Sequence, residues 1–141
     1  MVNRLTHTNI FVLDFDVALD FYVNKLGFAI AMDYTAPHGF RWLTITAPKQ
    51  PDLQIVFIKV EATEWSPLSE ATVNALKEIL STSGMGVGVM QCDNCVKTFE
   101  ELSAKGVKFS REPKEDFYGW AATFEDPFGN SFTLNEAKAG A

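Results

Sequence analysis

The chain has 141 residues, of which 47% are hydrophobic and 13% aromatic, and its formal net charge is −6 at pH 7. This length and composition predict one globular domain that can bury a core. The acidic balance disfavours nonspecific nucleic-acid binding, which needs a basic face, so no nucleic-acid partner is predicted. No run of about 18 apolar residues is present, so no membrane span is predicted either.

The start of the chain and its cysteines bear on the compartment. Residues 1–4 run directly into the first predicted strand, which leaves no room for a signal peptide. The two cysteines, Cys92 and Cys95, are too few for a disulfide scaffold and agree with a reducing interior. We therefore expect a cytoplasmic protein.

The first half begins with a predicted strand and helix. Residues 4–13 alternate well enough for a strand, on which His7 and every second residue after it share one face. Asp14 or Asp16 is a suitable N-cap for a helix that continues to about residue 25, with Val17 and Phe21 on its buried stripe.

Three strand-like runs and a connector follow. The strand-like runs cover residues 28–34, 40–46 and 53–60, and proline-containing turns separate them. Residues 61–85 form the connector. Within it, residues 68–80 predict an extra helix because apolar residues recur there at helical spacing.

The second half repeats the order of the first. The predicted elements are a strand over 87–92, a helix over 94–105 and strands over 107–111, 120–125 and 131–135. The sequence thus predicts a single domain, residues 1–141, made of a first module at about 1–60, the connector, and a second module at about 86–136.

Matching aspartates and glycines mark this internal repeat. Asp14 and Asp93 each follow a short apolar strand and each open an amphipathic stretch. Each also lies 13 residues before a glycine, Gly27 or Gly106, and Gly27 suits a left-handed C-cap.

The segment Asp126-Pro127-Phe128-Gly129-Asn130 is typical of a tight hairpin. Aspartate accepts backbone hydrogen bonds, proline fixes φ, and glycine or asparagine tolerates positive φ. The segment therefore predicts a turn between the last two strands and no binding site of its own.

These features together resemble the vicinal oxygen chelate superfamily, which includes glyoxalase I, bleomycin-resistance and fosfomycin-resistance proteins, and extradiol dioxygenases. The segments that carry the resemblance are residues 5–14, 18–22, 26–28, 87–89, 93, 102–106 and 124–130. The resemblance implies an α+β fold of two βαβββ modules that form a curved mixed sheet with the helices outside.

The resemblance also implies where a metal would bind. Metal-using members place four ligands on four strands, and histidine nitrogen and carboxylate oxygen are the usual donors. Those positions fall on His7, Gln54, Val87 and Thr133. Valine offers no donor, and neutral amide or hydroxyl oxygens bind divalent ions weakly. No cofactor is predicted, and a divalent metal held through His7 is left open.

Aromatic and polar residues at predicted groove positions indicate a ligand site. Pockets for organic molecules are mainly apolar with a few polar anchors, and aromatic rings stack on planar or cationic groups. The predicted ligand-binding residues are His7, Trp42, Gln54, Tyr118, Trp120 and Thr133.

Three functions are compatible with such a groove. The first is binding of a small organic molecule, aromatic or cationic, without a metal, for resistance or sequestration. The alternative is a glyoxalase-like lyase or isomerase, or a dioxygenase-type enzyme, with His7 as catalytic base or metal ligand and with Gln54 and Thr133 polarising oxygens. The third is an interaction module that docks a partner through the helix at 68–80. A homodimer is expected under the first two, because exposed sheet edges favour association.

Cys92-Asp93-Asn94-Cys95 forms a C-x-x-C at a strand-to-helix junction, where redox motifs occur. Its counterpart in the first half is the corner at residues 13–16, and the chain has no second cysteine pair for a zinc site. The favoured interpretation is two small apolar side chains near a helix start, with a redox role as the alternative.

Overall fold

A computed structural model describes residues 1–137 of the chain. In chain order its elements are β1 (His7–Val12), α1 (Phe15–Leu19) followed by a π-helical turn (Asp20–Lys25), β2 (Ala29–Thr35), β3 (Arg41–Ala47), β4 (Gln50–Lys59), α2 (Glu70–Ser81), β5 (Met85–Gln91), α3 (Cys95–Ala104), β6 (Lys108–Asp116), β7 (Gly119–Glu125) and β8 (Asn130–Ala137). Each predicted strand and helix is present, with boundaries shifted by a few residues.

The strands pair within each module. The two sheets have the same order, β1-β4-β3-β2 and β5-β8-β7-β6, and in each the first strand is parallel to the last while the other pairs are antiparallel. The chain forms two compact units, residues 1–78 and the residues from 79 onward. The predicted α+β fold of two βαβββ modules is confirmed, with the hydrogen bonds arranged in two four-stranded sheets.

The core of the first unit lies between one face of its sheet and the first helical segment. Ile10, Leu43 and Phe57 are buried on that face. Tyr22 of the π-helical turn packs on Phe57 with ring centroids 5.4 Å apart. Burying a large apolar side chain stabilises a fold by roughly 1.5–3 kcal/mol. The helical segment therefore covers the sheet face that carries Ile10, Leu43 and Phe57, and the opposite face carries no helix of this unit.

The first helical segment begins as predicted and then departs from the prediction. Asp14 is its N-cap, since its carboxylate accepts from the Val17 backbone N–H at 2.9 Å. Val17 itself was predicted to be buried, and this is wrong because the residue is 42% exposed. The short α1 gives way to a π-helical turn, in which the Leu26 N–H bonds to the Phe21 carbonyl. The burial predicted for Phe21 is confirmed, and the buried stripe runs through Ala18, Phe21 and Tyr22, at i, i+3 and i+4, which leaves Val17 to one side of it.

The connector helix α2 begins two residues later than predicted. Ser69 accounts for this start because its hydroxyl accepts from the Thr72 backbone N–H at 3.1 Å, as an N-cap does. Val73, Leu76 and Leu80 are buried along one stripe. Among the residues that the structure describes, no helix is both long and apolar enough to cross a membrane.

In the second unit, Asn94 rather than Asp93 caps helix α3. The Asn94 side chain accepts from the Lys97 N–H at 2.9 Å. The helix packs on its sheet through Phe99, whose ring centroid lies 4.8 Å from that of Phe109 in an edge-on contact. The second unit thus repeats the layering of the first.

The hairpin at Asp126 is held by one carboxylate. Its Oδ1 accepts from the backbone N–H groups of Phe128, Gly129 and Asn130 at 2.8–3.0 Å. Gly129 has a φ of 105°, and a Cβ at this residue would overlap the carbonyl oxygen of Leu80 at the end of α2. Glycine is therefore required here both by the backbone conformation and by the close approach of the helix end.

Candidate functional site

Each strand of the first sheet presents alternate residues to the face that carries no helix. The registers between the strands identify which residues share this face. We call it the open face, and it comprises His7, Asn9, Phe11, Met32, Tyr34, Trp42, Thr44, Gln54, Val56 and Ile58.

Three of the predicted ligand-binding residues lie together on the open face. His7 of β1 is directly opposite Gln54 of β4 in the parallel ladder. The ring of Trp42 lies 6.0 Å from the His7 ring, centroid to centroid, at an interplanar angle of 51°. The His7 Nδ1 is 2.9 Å from the Thr6 hydroxyl, so this side of the ring is already engaged in a hydrogen bond. The cluster combines one aromatic surface with two neutral polar groups.

Thr44 orients the Gln54 side chain. Its hydroxyl donates to the Gln54 Oε1 at 2.7 Å, and Thr44 is completely buried. Because the carbonyl end of the amide is occupied, the NH2 end of Gln54 is the part that can donate to a ligand. Sequence reasoning missed Thr44, although a hydroxyl between the buried Leu43 and Ile45 was the available signal.

The charged residues Asp33 and Arg41 of the first sheet do not lie on the open face. Asp33 and Arg41 form a two-pronged ion pair, at 2.9 Å and 2.8 Å, on the other face at the end of β2 and β3. The Arg41 hydrogen bonds hold the pKa of Asp33 below its usual value, and the same bonds to Asp33 raise the pKa of Arg41. Among the described residues whose ladder partners define the open face, none is Asp, Glu, Lys or Arg. Asp52, two residues before Gln54 in the irregular start of β4, forms an ion pair with Arg4 at 3.3 Å.

The predicted residues of the second unit are not all on one face of its sheet. Thr133 is paired with Thr123, on the face that carries no helix. Trp120 is paired with Glu136, and regular alternation puts it on the same face as the buried Ala122, opposite Thr133. Trp120 therefore does not share a binding surface with Thr133 on that sheet.

Tyr118 lies in the turn between β6 and β7. It is 49% exposed, and its ring makes an edge-on contact with the ring of Phe117 at a centroid distance of 5.1 Å. The turn leaves both rings accessible to solvent, so Tyr118 is available for a contact but is not fixed by a pocket wall.

The donors at the four family metal positions do not suit a divalent metal. In the first unit the two positions, His7 and Gln54, are adjacent. In the second unit the ladder is irregular around Val87, and the residue directly opposite Thr133 is Val89. Whether the third position is Val87 or Val89, its side chain has no atom that could bind a metal. Among the described residues, no three His, Cys, Asp or Glu side chains cluster as a metal site would require.

The two thiols of the C-x-x-C segment are held in their protonated form. Cys95 is completely buried, and this burial raises its pKa to about 11, with the neighbouring Cys92 and Glu136 adding to the effect. Burial also raises the pKa of Cys92. The Glu136 carboxylate accepts from the Cys95 backbone N–H at 2.6 Å. Since the thiolate is the reactive form, this environment favours inert thiols.

Comparison with known proteins gives consistent matches over nearly the whole chain. The model of the Glyoxalase/Bleomycin resistance protein/Dioxygenase superfamily matches residues 4–134. The Bacillus subtilis protein YurT is 34% identical over 128 residues, which cover 90% of this chain and 94% of YurT.

Two solved structures are similar in both sequence and fold. That of UcmS2 is 37% identical with a TM-score of 0.88, and the match covers 97% of this chain and 100% of UcmS2. That of TnmS3, described as an antibiotic binding protein from Streptomyces sp. CB03234, is 25% identical with a TM-score of 0.71 and covers 97% and 98% of the two chains.

Proposed function

The chain belongs to the Glyoxalase/Bleomycin resistance protein/Dioxygenase superfamily, and on that premise we propose that it binds a small, uncharged aromatic molecule on the open face of its first sheet. The binding needs no metal, and its role is sequestration of, or resistance to, a toxic compound. The observation that carries the proposal is the cluster of His7, Trp42 and Gln54, whose ladder-paired neighbours on the open face include no Asp, Glu, Lys or Arg.

The composition of the open face supports this ligand class. Ligand sites are mostly apolar and aromatic, with a small number of polar groups that fix orientation. Here Trp42 and Tyr34, which are paired across β2 and β3, supply aromatic surface. Gln54, held by Thr44, supplies an oriented donor. The ladder-paired positions of this face hold no carboxylate, and Asp52 near the start of β4 is already paired with Arg4, so the uncharged aromatic class fits better than the cationic one.

The similarity to TnmS3 supports the role. TnmS3 is described as an antibiotic binding protein, and it shares the fold of this chain over almost its full length. Non-catalytic binding requires only a complementary surface, whereas the superfamily's metal chemistry requires donors that His7, Gln54, Val87 and Thr133 do not supply together. In the second unit, Thr133 and Tyr118 remain proposed ligand-binding residues of that unit's own surface.

Catalysis by His7 is the second candidate, because its side chain is exposed on the open face beside an amide donor. A lyase or isomerase would use His7 as the base and the Gln54 NH2 group to stabilise a developing oxyanion. This candidate predicts turnover of a carbonyl compound that disappears in His7→Ala while binding remains.

We also propose that the protein is a homodimer and that it is located in the cytoplasm. β1 stands at one end of the strand order of the first sheet and β5 at one end of that of the second, so each is an edge strand of its own sheet. Val89 on β5 is 70% exposed. Unpaired edges favour association with a second copy. Light scattering after size exclusion would give twice the mass of one chain, and a monomer would contradict this part.

The function is tested by calorimetric titration with 2-naphthamide, an uncharged planar amide, and with 2-naphthylmethylammonium as its cationic counterpart. We expect saturable binding of the amide and at least about tenfold weaker binding of the cation, a difference of roughly 1.4 kcal/mol. A thermal-shift screen of uncharged polycyclic compounds would then find tighter ligands, since a ligand of the folded state raises its apparent stability. Preference for the cation, or turnover that depends on His7, would contradict the proposal.

A further inference from the structure

The first unit contains a cavity at the end of its sheet away from the His7–Gln54 pair, and of the residues that define the open face it is lined by Ile58 alone. It has a volume of about 440 Å³ and lies where the ends of β2, β3 and β4 meet the connector. Its walls include Phe15, Arg41, Phe57, Lys59 and Trp65. Lys59 lies five residues beyond Gln54 along β4, which corresponds to about 16 Å at ~3.3 Å per residue. The cavity therefore lies at the other end of the strand from the His7–Gln54 pair.

Two cationic side chains converge on one aromatic ring in this cavity. The Arg41 guanidinium lies 5.3 Å from the centroid of the Phe15 ring, and the Lys59 ammonium lies 5.8 Å from it. Cations at such distances are attracted to the ring face. The ring positions both charges at the cavity without neutralising either of them.

Each cation retains capacity for a further anion. Asp33 takes two of the five N–H donors of Arg41, at 2.9 Å and 2.8 Å. Glu61 lies 3.5 Å from the Lys59 ammonium, and both side chains of this pair are more than one-third exposed. Among the residues that line the cavity, two carry a positive charge and only Glu61 carries a negative one. Each cation thus has one carboxylate partner, Asp33 for Arg41 and Glu61 for Lys59, and a ligand carboxylate would use their remaining donors.

The remaining wall is a stacked aromatic pair. The ring of His38, in the turn between β2 and β3, stacks on Trp65 at a centroid distance of 3.9 Å and an interplanar angle of 13°. The His38 Nδ1 accepts from the Phe40 N–H at 3.3 Å, which fixes the ring in the turn. In the connector, the Ser66 hydroxyl donates to the Glu61 carbonyl at 2.5 Å and so closes the loop that carries Trp65. The wall is therefore built before any ligand arrives.

We propose that this cavity is a second binding site, for a planar aromatic carboxylate. Its volume is in the range of small-molecule sites, roughly 300–1,000 Å³. The aromatic part of the ligand would lie against Trp65, which is half exposed, and its carboxylate would bind Arg41 and Lys59. Guanidinium groups suit carboxylates because their N–H donors match the two oxygens.

The test is calorimetric titration with 2-naphthoate, and with 2-naphthamide as its uncharged analogue. Lys59→Gln is the principal variant, because its exposed ion pair with Glu61 contributes little to folding. Lys25→Gln removes a cation that is paired with Asp20 elsewhere in the same unit and serves as the matched control. Trp42→Ala disables the open face.

We expect one naphthoate to bind per chain and Lys59→Gln to weaken that binding about tenfold, as expected for the loss of one charge-assisted contact. The same variant leaves the affinity for 2-naphthamide unchanged, and Lys25→Gln and Trp42→Ala leave the affinity for naphthoate within about twofold of the parent. Unchanged naphthoate affinity in Lys59→Gln, equal weakening of acid and amide, loss of naphthoate binding in Trp42→Ala, or no saturable binding would each overturn the proposal.

Discussion

Trp42 and His7 approach each other to 6.0 Å between ring centroids although they lie on strands that are not neighbours in the sheet. β4 lies between them and contributes Gln54, the residue directly opposite His7. The rings of Trp42 and His7 therefore lie on either side of the Gln54 position on the open face. A flat ligand that rests on the indole would have its edge near the amide and the imidazole.

The first prediction concerns Trp42. Trp42→Ala should weaken binding of 2-naphthamide by about tenfold, because an aromatic contact beyond simple burial is worth roughly 0.5–1.5 kcal/mol and the buried area is lost as well. Calorimetry measures the change. Trp65→Ala removes a tryptophan outside the open face and should leave this affinity unaltered. Equal effects of the two variants would show that the loss is not specific to the open face.

The second prediction concerns the hydrogen bond between Thr44 and Gln54. Thr44→Val should lower the free energy of unfolding by about 1–2 kcal/mol, because it leaves the Gln54 carbonyl without its buried donor. Urea denaturation gives this value. In a double-mutant cycle, adding Gln54→Leu should cost less in the Thr44→Val background than in the parent. Strictly additive effects would rule out the coupling.

The third prediction compares two aspartates that accept backbone hydrogen bonds. Asp126→Ala removes a carboxylate that accepts three backbone N–H bonds and should destabilise the fold by about 3 kcal/mol or more. Asp14→Ala removes a single N-cap bond and should cost about 1 kcal/mol. Denaturant midpoints at constant m-value measure both. A cost for Asp126→Ala no greater than that for Asp14→Ala would contradict the role assigned to the hairpin.

The fourth prediction concerns Cys95 and pH. Its pKa is raised from an ordinary value near 9.0 to about 11 in the fold, so between these values the unfolded chain loses this proton while the folded chain keeps it. Stability contributed by the neutral thiol is therefore complete below pH 9 and is lost as pH rises toward 11. Unfolding experiments from pH 8 to 10.5 should show this decline, and it should be smaller in Cys95→Ala. Rapid alkylation of Cys95 at pH 7 would contradict the raised pKa.

The sequence predicted the repeat and the fold because their signals are local. Asp14 before a helix and Gly27 with a φ of 83° after it are readable from residue type alone. The exposure of Val17 was not readable, because residue spacing alone allows a buried stripe centred either on Val17 and Phe21 or on Ala18, Phe21 and Tyr22. The face of Trp120 also required the strand register, since a shift of one residue reverses every side chain.

The cavity at Arg41 and Lys59 was not predicted for a different reason. Its walls come from the helix start, three strand ends and the connector, which are distant in sequence. Periodicity describes one element at a time, so it cannot show where the ends of several elements meet. By contrast, His7 and Gln54 could be paired in advance, because the superfamily resemblance supplies their alignment.

The ladder-paired positions of the open face hold no Asp, Glu, Lys or Arg, whereas Asp33 and Arg41 lie on the other face of the first sheet and Asp52 and Lys59 lie toward the two ends of β4. Ionic strength should therefore distinguish two modes of recognition within one unit. Raising the salt concentration from 0.1 M to 1 M shortens the Debye length from about 10 Å to about 3 Å. We expect this change to weaken binding of naphthoate and to leave binding of 2-naphthamide constant or slightly stronger. A cell's changing salt content would then adjust occupancy of the cavity while occupancy of the open face follows only the ligand concentration.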